Sequence, residues 1–337
     1  MTEELKGPNY EIRHKNFQGS LPIQVTIDDS DIYTDKDIPT YYVMQPRMSY
    51  LFLLTPQINE FYAEYLDMYS FTKDDFWYSY KGQPLRFDIP LGVIYDTLAE
   101  IDKSNNGSNL ASLPFKITFH YRNFPSKSLQ KGMVKYIYSQ ALKESSMVRT
   151  GKASDVSDKL DHVKSMLNAI KDSKYDDFWR FNEELGEHTI DKLKFFPVRV
   201  VLNKNYHPYM SDKDKEKAKQ EDKVGFMMIQ RPVKVIENTD ICIGEYLTKV
   251  LPKYFHIQTE ITVEEDSDQG EGEQSKAEDQ PDKKSEDDEI DYVEKTHKDT
   301  YVIVNGLQIE LDISLNWLIL NLSAMDNFLY VTVKVPK

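Results

Sequence analysis

The chain of 337 residues has a single cysteine, Cys242. No internal disulfide is therefore possible, stability has to come from packing, and a reducing compartment is expected. No apolar run approaches the ~20 residues that span a bilayer, and the start of the chain lacks a signal-peptide pattern. The expectation is a soluble cytoplasmic protein. An excess of basic charge is also absent: 42 Lys and Arg stand against 56 Asp and Glu, for a net charge of -14. Segment 264–291, "EEDSDQGEGEQSKAEDQPDKKSEDDEID", holds 14 acids and 3 lysines, so it contributes -11 and leaves -3 for the rest. A nearly neutral body gives no reason to expect nucleic acid as a partner.

Catalytic signatures are missing too. There is no Walker loop, dinucleotide glycine fingerprint, GxSxG elbow, HExxH or paired CxxC. The seven histidines are scattered, without metal-ligand spacing, and "DSDQGEGEQ" puts Gly270 and Glu271 where a calcium loop needs an oxygen ligand and a glycine. Cys242 lies in the apolar run "DICIGEYL" and reads as a buried helix residue, which argues against a thioester carrier. The ending "KVPK" lacks the diglycine of a transferable modifier. No cofactor, metal or catalytic residue is expected, and the chain by itself is not expected to be an enzyme.

What the sequence does contain is a duplication. "YKGQPLRFDIPLGVIYDTL" (80–98) returns as "VNGLQIELDISLNWLILNL" (304–322), 224 positions later. Each copy has a glycine turn flanked by alternating residues, the signal of a β-hairpin, then Asp-Ile and a short apolar helix. Upstream, "PIQVTI" from Pro22 matches "PVRVVL" from Pro197 at an offset of 175, and "YYVMQPR" from Tyr41 matches "FMMIQRP" from Phe226 at 185. A helix follows in each: Ile58, Phe61, Tyr62, Tyr65 and Leu66 form one apolar face, and Ile243, Tyr246, Leu247, Val250 and Leu251 form the other. Thr55 before Pro56 reads as an N-cap. "FKITFHY" and "FLYVTVKV" supply a last strand. Strand, strand, helix, strand, strand, short helix, strand is the order of the ubiquitin fold.

Between the copies the period turns helical. Met133, Val134, Ile137, Tyr138 and Ala141 share one face; Leu160, Val163, Leu167 and Ile170 share another; "KYDDFWRFNEEL" adds an aromatic-rich helix. The expected fold class is α+β, with two ubiquitin-like β-grasp domains flanking a helix-rich domain. The expected organisation is an N-terminal helical segment at 1–20, domains at 21–122, 123–193 and 194–337, and a disordered acidic insert at 264–291. A polar loop is expected at 203–223. Three bodies in series leave grooves suited to partner helices. Asp88 and Asp312 read as caps of the short helices. Trp77, Trp179 and Trp317 read as core, with Trp179 placed to border a groove.

"YYVMQPRMSYL", "FWYSYKGQPLRFDIPLGVIYDTLA", "LPFKITFHYRNFPSKSL", "DDFWRFN" and "DNFLYVTV", in that order, resemble the autophagy-related protein 5 family over almost the whole chain. The resemblance implies an acceptor of the ubiquitin-like autophagy-related protein 12, joined by an isopeptide bond to a lysine of the helical domain. The matching position is Lys143 in "SQALKESS". It further implies binding of the N-terminal helix of the coiled-coil autophagy-related protein 16. The assembled conjugate would promote E3-like transfer of autophagy-related protein 8 from its carrier enzyme to phosphatidylethanolamine, at the preautophagosomal membrane, with peripheral association through the complex. The alternative is an unconjugated ubiquitin-like scaffold. The helical wheel puts Lys143 roughly 150° from the centre of its helix's apolar face, hence in solvent. Lys131, Lys135 and Lys152 are the neighbours that a different register would favour. An ordinary lysine amine, with a pKa near ~10.4, is almost wholly protonated at neutral pH, so docking must select the acceptor.

Overall fold

A two-residue hairpin of type I′ needs positive φ at both central positions. The computed structural model describes residues 7–32, 37–66, 76–99, 113–129, 134–152, 156–185, 193–203, 226–236, 240–252, 254–255, 257–258, 293–294 and 300–334. In it Lys81 and Gly82 take φ of 49° and 78°, and Asn305 and Gly306 take 51° and 84°. Both turns of the duplicated stretch therefore form as expected.

The first lobe runs α1 (Tyr10–Gln18), β1 (Ser20–Ile27), β2 (Tyr41–Pro46), α2 (Leu51–Tyr62), β3 (Trp77–Tyr80), β4 (Gln83–Pro84), α3 (Leu91–Leu98) and β5 (Phe115–His120). Its sheet has the order β2-β1-β5-β3-β4, with β1 and β5 parallel. Helices α4 (Val134–Thr150), α5 (Leu160–Lys171) and α6 (Tyr175–Leu185) follow. The second lobe contains β6 (Val198–Asn203), β7 (Phe226–Ile229), α7 (Ile243–Val250), β8 (Ile257–Gln258), β9 (Val293–Glu294), β10 (Tyr301–Val304), β11 (Leu307–Gln308), α8 (Leu315–Leu322) and β12 (Leu329–Lys334). Its sheet, β11-β10-β12-β6-β7, repeats the first order, again with the first and last strands parallel. The hairpin β8–β9 is an addition.

The sheet registers correct part of the internal alignment. Ile23 lies opposite Phe115 and Val198 opposite Leu329, which keeps the offset of 175. Tyr41 pairs with Val25, and Ile229 with Val200, so the second strands correspond at 188, not 185. The Leu91 N–H donates to the Ser49 carbonyl, and the Leu315 N–H to that of Ile241. That contact sets the helices at 192, with Leu51 the counterpart of Ile243. The slip of seven residues is two helical turns, which leaves an i, i+3, i+4, i+7 pattern almost in phase. The buried face of α2 accordingly starts earlier, at Leu51 and Leu54, and continues through Ile58 to Tyr62, while Phe61 is 38% exposed. Thr55 lies inside α2, bonded to the Tyr78 hydroxyl at 2.8 Å; Tyr50 holds the N-cap position without a side-chain cap.

Asp88 and Asp312 do not cap their helices. Asp88 is held by the Arg86 guanidinium, with Nε at 2.7 Å, and Pro90 precedes α3. At α8 the cap is Ser314, nearer the helix than Asp312; it accepts from the Trp317 N–H at 3.1 Å. Cys242 is an N-cap rather than a helix-interior residue. In the helical segment Tyr138, Ala141, Val163 and Ile170 are buried, but Leu160, which opens α5, is 47% exposed. Fully buried Met166 takes its place in the stripe one turn beyond Val163. Segment 264–291, Lys131, Met133 and residues 204–223 lie outside the described residues.

The three bodies do not sit apart in series. One continuous core joins the first lobe, the α4–α6 segment and Val201, Ala324, Met325, Phe328 and Tyr330 of the second lobe. A second core lies between the second sheet and α7 and α8. The outer face of the second sheet is covered, so β12 is buried at all positions, inside and out.

Candidate functional site

Helix α4 carries the expected acceptor. Its buried stripe is Tyr138, Ala141, Leu142, Ser145 and Arg149; Tyr136, Gln140, Glu144 and Met147 are exposed. Lys143 lies on the flank between the two and is half-buried rather than fully solvated. Among the described residues no hydrogen bond or ion pair engages its ammonium. Lys152 is exposed just past the helix end, its N–H donating to Thr150 Oγ1 at 3.2 Å. Lys135 is in the first turn of α4, with its side chain outside the described residues.

Three side-chain contacts seat α4 on the second lobe, beside the Lys194 N–H that donates to the Arg149 carbonyl at 2.7 Å. The Tyr138 hydroxyl donates to the Met325 carbonyl at 2.7 Å. Arg149 Nη2 donates to the Asn327 carbonyl at 3.0 Å. Glu144 accepts from Arg199 Nη2. Arg199 is almost fully buried on β6, donating also to Gln230 Oε1 at 3.0 Å and the Tyr330 hydroxyl at 2.9 Å, with its guanidinium 3.7 Å from the Phe328 ring centre. Tyr330 in turn donates to Asp326 at 2.6 Å. Burial pushes the Asp326 carboxyl above its ordinary range, opposed by Arg199 and by the Tyr330 hydroxyl. Burial lowers Arg149 to about 10, which leaves it cationic at neutral pH. Asn182 of α6 and Asn327 exchange a pair of side-chain amide bonds at 3.1 and 2.9 Å. "DDFWRFN" and "DNFLYVTV", far apart in sequence, therefore meet at one buried joint.

A second joint locks the lobes directly. Arg47 pairs with buried Asp96 of α3 and lies against the second hairpin, where a Cβ added at Gly306 would stand 2.9 Å from Arg47 Nη2. The Lys334 ammonium donates to the Ala99 carbonyl. At the N-terminus, the Asn9 N–H donates to Asn321 Oδ1 and Arg13 Nε to the Leu320 carbonyl, both at 2.7 Å, which ties α1 to α8.

Two grooves flank these joints. One, of 640 Å³, runs between α1 and α6 and is lined by Tyr10, Arg13, Tyr175, Trp179 and Arg180, so Trp179 does border a groove. The other, of 580 Å³, has Phe87, Leu129, Ile137 and Ala141 among its apolar lining and the Arg86–Asp88 and Glu144–Arg199 pairs beside them. Trp77, Trp179 and Trp317 are each only half-buried. Trp77 stacks on His120 with ring centres 3.8 Å apart, and its indole donates to the Arg122 carbonyl.

That stacking covers a cluster with no local sequence signal. Ser79 Oγ lies 2.7 Å from His120 Nε2, and His120 Nδ1 lies 3.3 Å from Asp28 Oδ2. The arrangement has the order of a serine-hydrolase relay, but Ser79 is 1% exposed, so a substrate has no approach and the cluster acts as a structural pin. Its members come from β3, β5 and the turn after β1, which only the sheet brings together. Elsewhere, burial pushes the Cys242 thiol up, the opposite of what a nucleophile needs. Among the described residues there is no group of side chains fit to hold a metal, and no helix is long and apolar enough to cross a membrane.

Residues 16–121 match the family described as "Autophagy protein ATG5, UblA domain", and residues 195–333 match "Autophagy protein ATG5, UblB domain". Autophagy protein 5 of Aspergillus clavatus is 27% identical over 203 residues, which is 55% of this chain and 63% of that protein. The chain thus spans under two thirds of that relative's length in the alignment. The Arabidopsis thaliana protein of the same name is 23% identical over 95% of this chain and 96% of its own. The Oryza sativa subsp. indica protein is 32% identical over 44% of this chain and 37% of its own. The crystal structure of Kluyveromyces marxianus Atg5 superposes with a TM-score of 0.64 at 14% identity, covering 97% of this chain and 100% of that one, a likeness of fold. Two domain models of one family, in order and over well over half of the chain, decide its membership: this chain belongs to the autophagy protein 5 family.

Proposed function

We propose that this autophagy protein is the acceptor of the ubiquitin-like autophagy-related protein 12, through an isopeptide bond at Lys143. The conjugate then binds the N-terminal helix of autophagy-related protein 16. As that complex it promotes E3-like transfer of autophagy-related protein 8 to phosphatidylethanolamine on the forming autophagosome, without a catalytic cysteine of its own. Cytoplasmic location and peripheral membrane association through the complex belong to the same reading.

The observation that carries the acceptor assignment is the position of Lys143. It lies on the outer flank of a helix that three side-chain contacts help fix to the second lobe, with an ammonium that no described side chain engages. An amine attacking a thioester must be reachable and held in place. Shallow clefts beside α1 and α4 fit the helix-in-groove mode for the coiled-coil partner. Reconstitution with the modifier, its activating enzyme and its carrier, followed by mass spectrometry, is the test. A single branched peptide at Lys143, abolished by Lys143→Arg, is expected. An unmodified chain from competent enzymes would leave an unconjugated ubiquitin-like scaffold.

A further inference from the structure

The contacts of α4 are not equivalent. At ~100° per residue, Tyr138 and Arg149, 11 positions apart, lie within about 20° of one line along the helix. Their bonds to the Met325 and Asn327 carbonyls therefore anchor one edge. Two polar anchors on one line, together with the apolar packing of the buried stripe, fix the roll of a helix less sharply than a third polar contact off that line. Glu144 is about 120° away around the axis, and its carboxylate is the off-line contact, held by Arg199. Arg199 itself is fixed on several sides by Gln230, Tyr330 and the Phe328 ring. Its counterpart in the first lobe, at the offset of 175 that the sheets preserve, is Gln24. The guanidinium is thus a feature of one copy of the duplication and not of the fold.

We infer that Glu144 is a positioning residue for conjugation: clamped by Arg199, it fixes the roll of α4 and so decides that Lys143 is the acceptor. The inference rests on the acceptor reading given above. Lys143 is the residue next to the clamp, on the opposite flank of the exposed stripe. At a helix radius of about 6 Å, a roll of about 10° displaces a side chain by about 1 Å, a misplacement that can cost about 100-fold in rate. Glu144 is more than half exposed on its side chain, 56%, so its removal does not open a cavity.

The test is the reconstituted conjugation reaction on the full chain, comparing the natural protein with Glu144→Ala and Glu144→Gln. Two readouts are needed: the single-turnover rate of adduct formation and the distribution of adducts over Lys143, Lys135 and Lys152. Glu144→Ala is expected to slow modification of Lys143 by about 10- to 100-fold and to spread adducts to the neighbouring lysines. Glu144→Gln, which keeps an acceptor for Arg199, should stay within about threefold of the natural rate. General destabilisation would not redistribute the sites, and urea midpoints of the three proteins detect it independently. Adduct formation by Glu144→Ala within about twofold of the natural rate, confined to Lys143, overturns the inference while leaving the acceptor reading intact. A natural chain modified elsewhere, or nowhere, overturns the acceptor reading itself.

Discussion

His120 shows how a single residue ties sheet geometry to pH. Burial holds its pKa below the ordinary 6.5, despite the opposing charges of Asp28 and Asp31. The neutral ring places one nitrogen toward Asp28 and the other toward Ser79, beneath the Trp77 indole. An unfolded chain takes up the proton near pH 6.5, whereas the native ring resists it to lower pH. The unfolded state therefore binds more protons in the window from about 6.5 down to the lowered native value, and stability is lost as pH falls through it. Urea midpoints measured between pH ~7.5 and ~5.5 should fall for the natural protein and fall less for His120→Gln. Parallel profiles would assign the pH dependence to other groups. At this scale the sequence is least informative. Asp88 and Asp312 sit at equivalent places in the repeat, yet one is neutralised by Arg86 two residues away and the other is displaced as a cap by Ser314. Both outcomes depend on side-chain reach, which periodicity does not encode.

Among the elements, the helices were legible wherever one face is apolar, because burial follows the 3.6-residue period. Their phase along the chain was not. A shift of seven residues returns the same face, so α2 and α7 align by pattern at 185 and by hydrogen bonding at 192. The joint between α6 and the turn before β12 was also hidden, because its members are 145 residues apart. Asn327 takes a φ of 66°, a conformation asparagine tolerates better than most residues. There its amide meets that of Asn182, and both residues are buried. Asn182→Ala removes both amide bonds and leaves the partner buried without its acceptor and donor. A loss of about 2–3 kcal/mol is expected, read as a lower urea midpoint at unchanged slope. A change below about 0.5 kcal/mol would mean that water replaces the lost amide.

For the whole molecule, the lobes depend on each other. All eight residues of α3 are buried; Asp96, paired with Arg47 of its own lobe, and Thr97 face the Gly306 turn and Thr332 across the joint. Residues 21–122 expressed alone would expose that face together with the apolar surface now covered by α4 and α6. A broad, non-cooperative thermal transition is expected by circular dichroism, against a cooperative one for the full chain. A sharp transition for the isolated lobe would show that the continuous core is dispensable.

The sequence by itself determined the duplication, the glycine turns, the order of strands and helices in each copy, and the helical character of the intervening segment. Each of these is written in local signals: positive-φ turn residues, alternation, and a stripe of apolar residues. Only the tertiary structure decided the phase of the two long helices, the merging of lobes and helices into one core, the relay-like pin at His120 and the clamp on Glu144. These depend on which faces meet across separations in the chain that run from 41 residues for Ser79–His120 and 55 for Glu144–Arg199 to 187 for Tyr138–Met325, and a side chain such as Arg199 carries no mark of the helix it will hold.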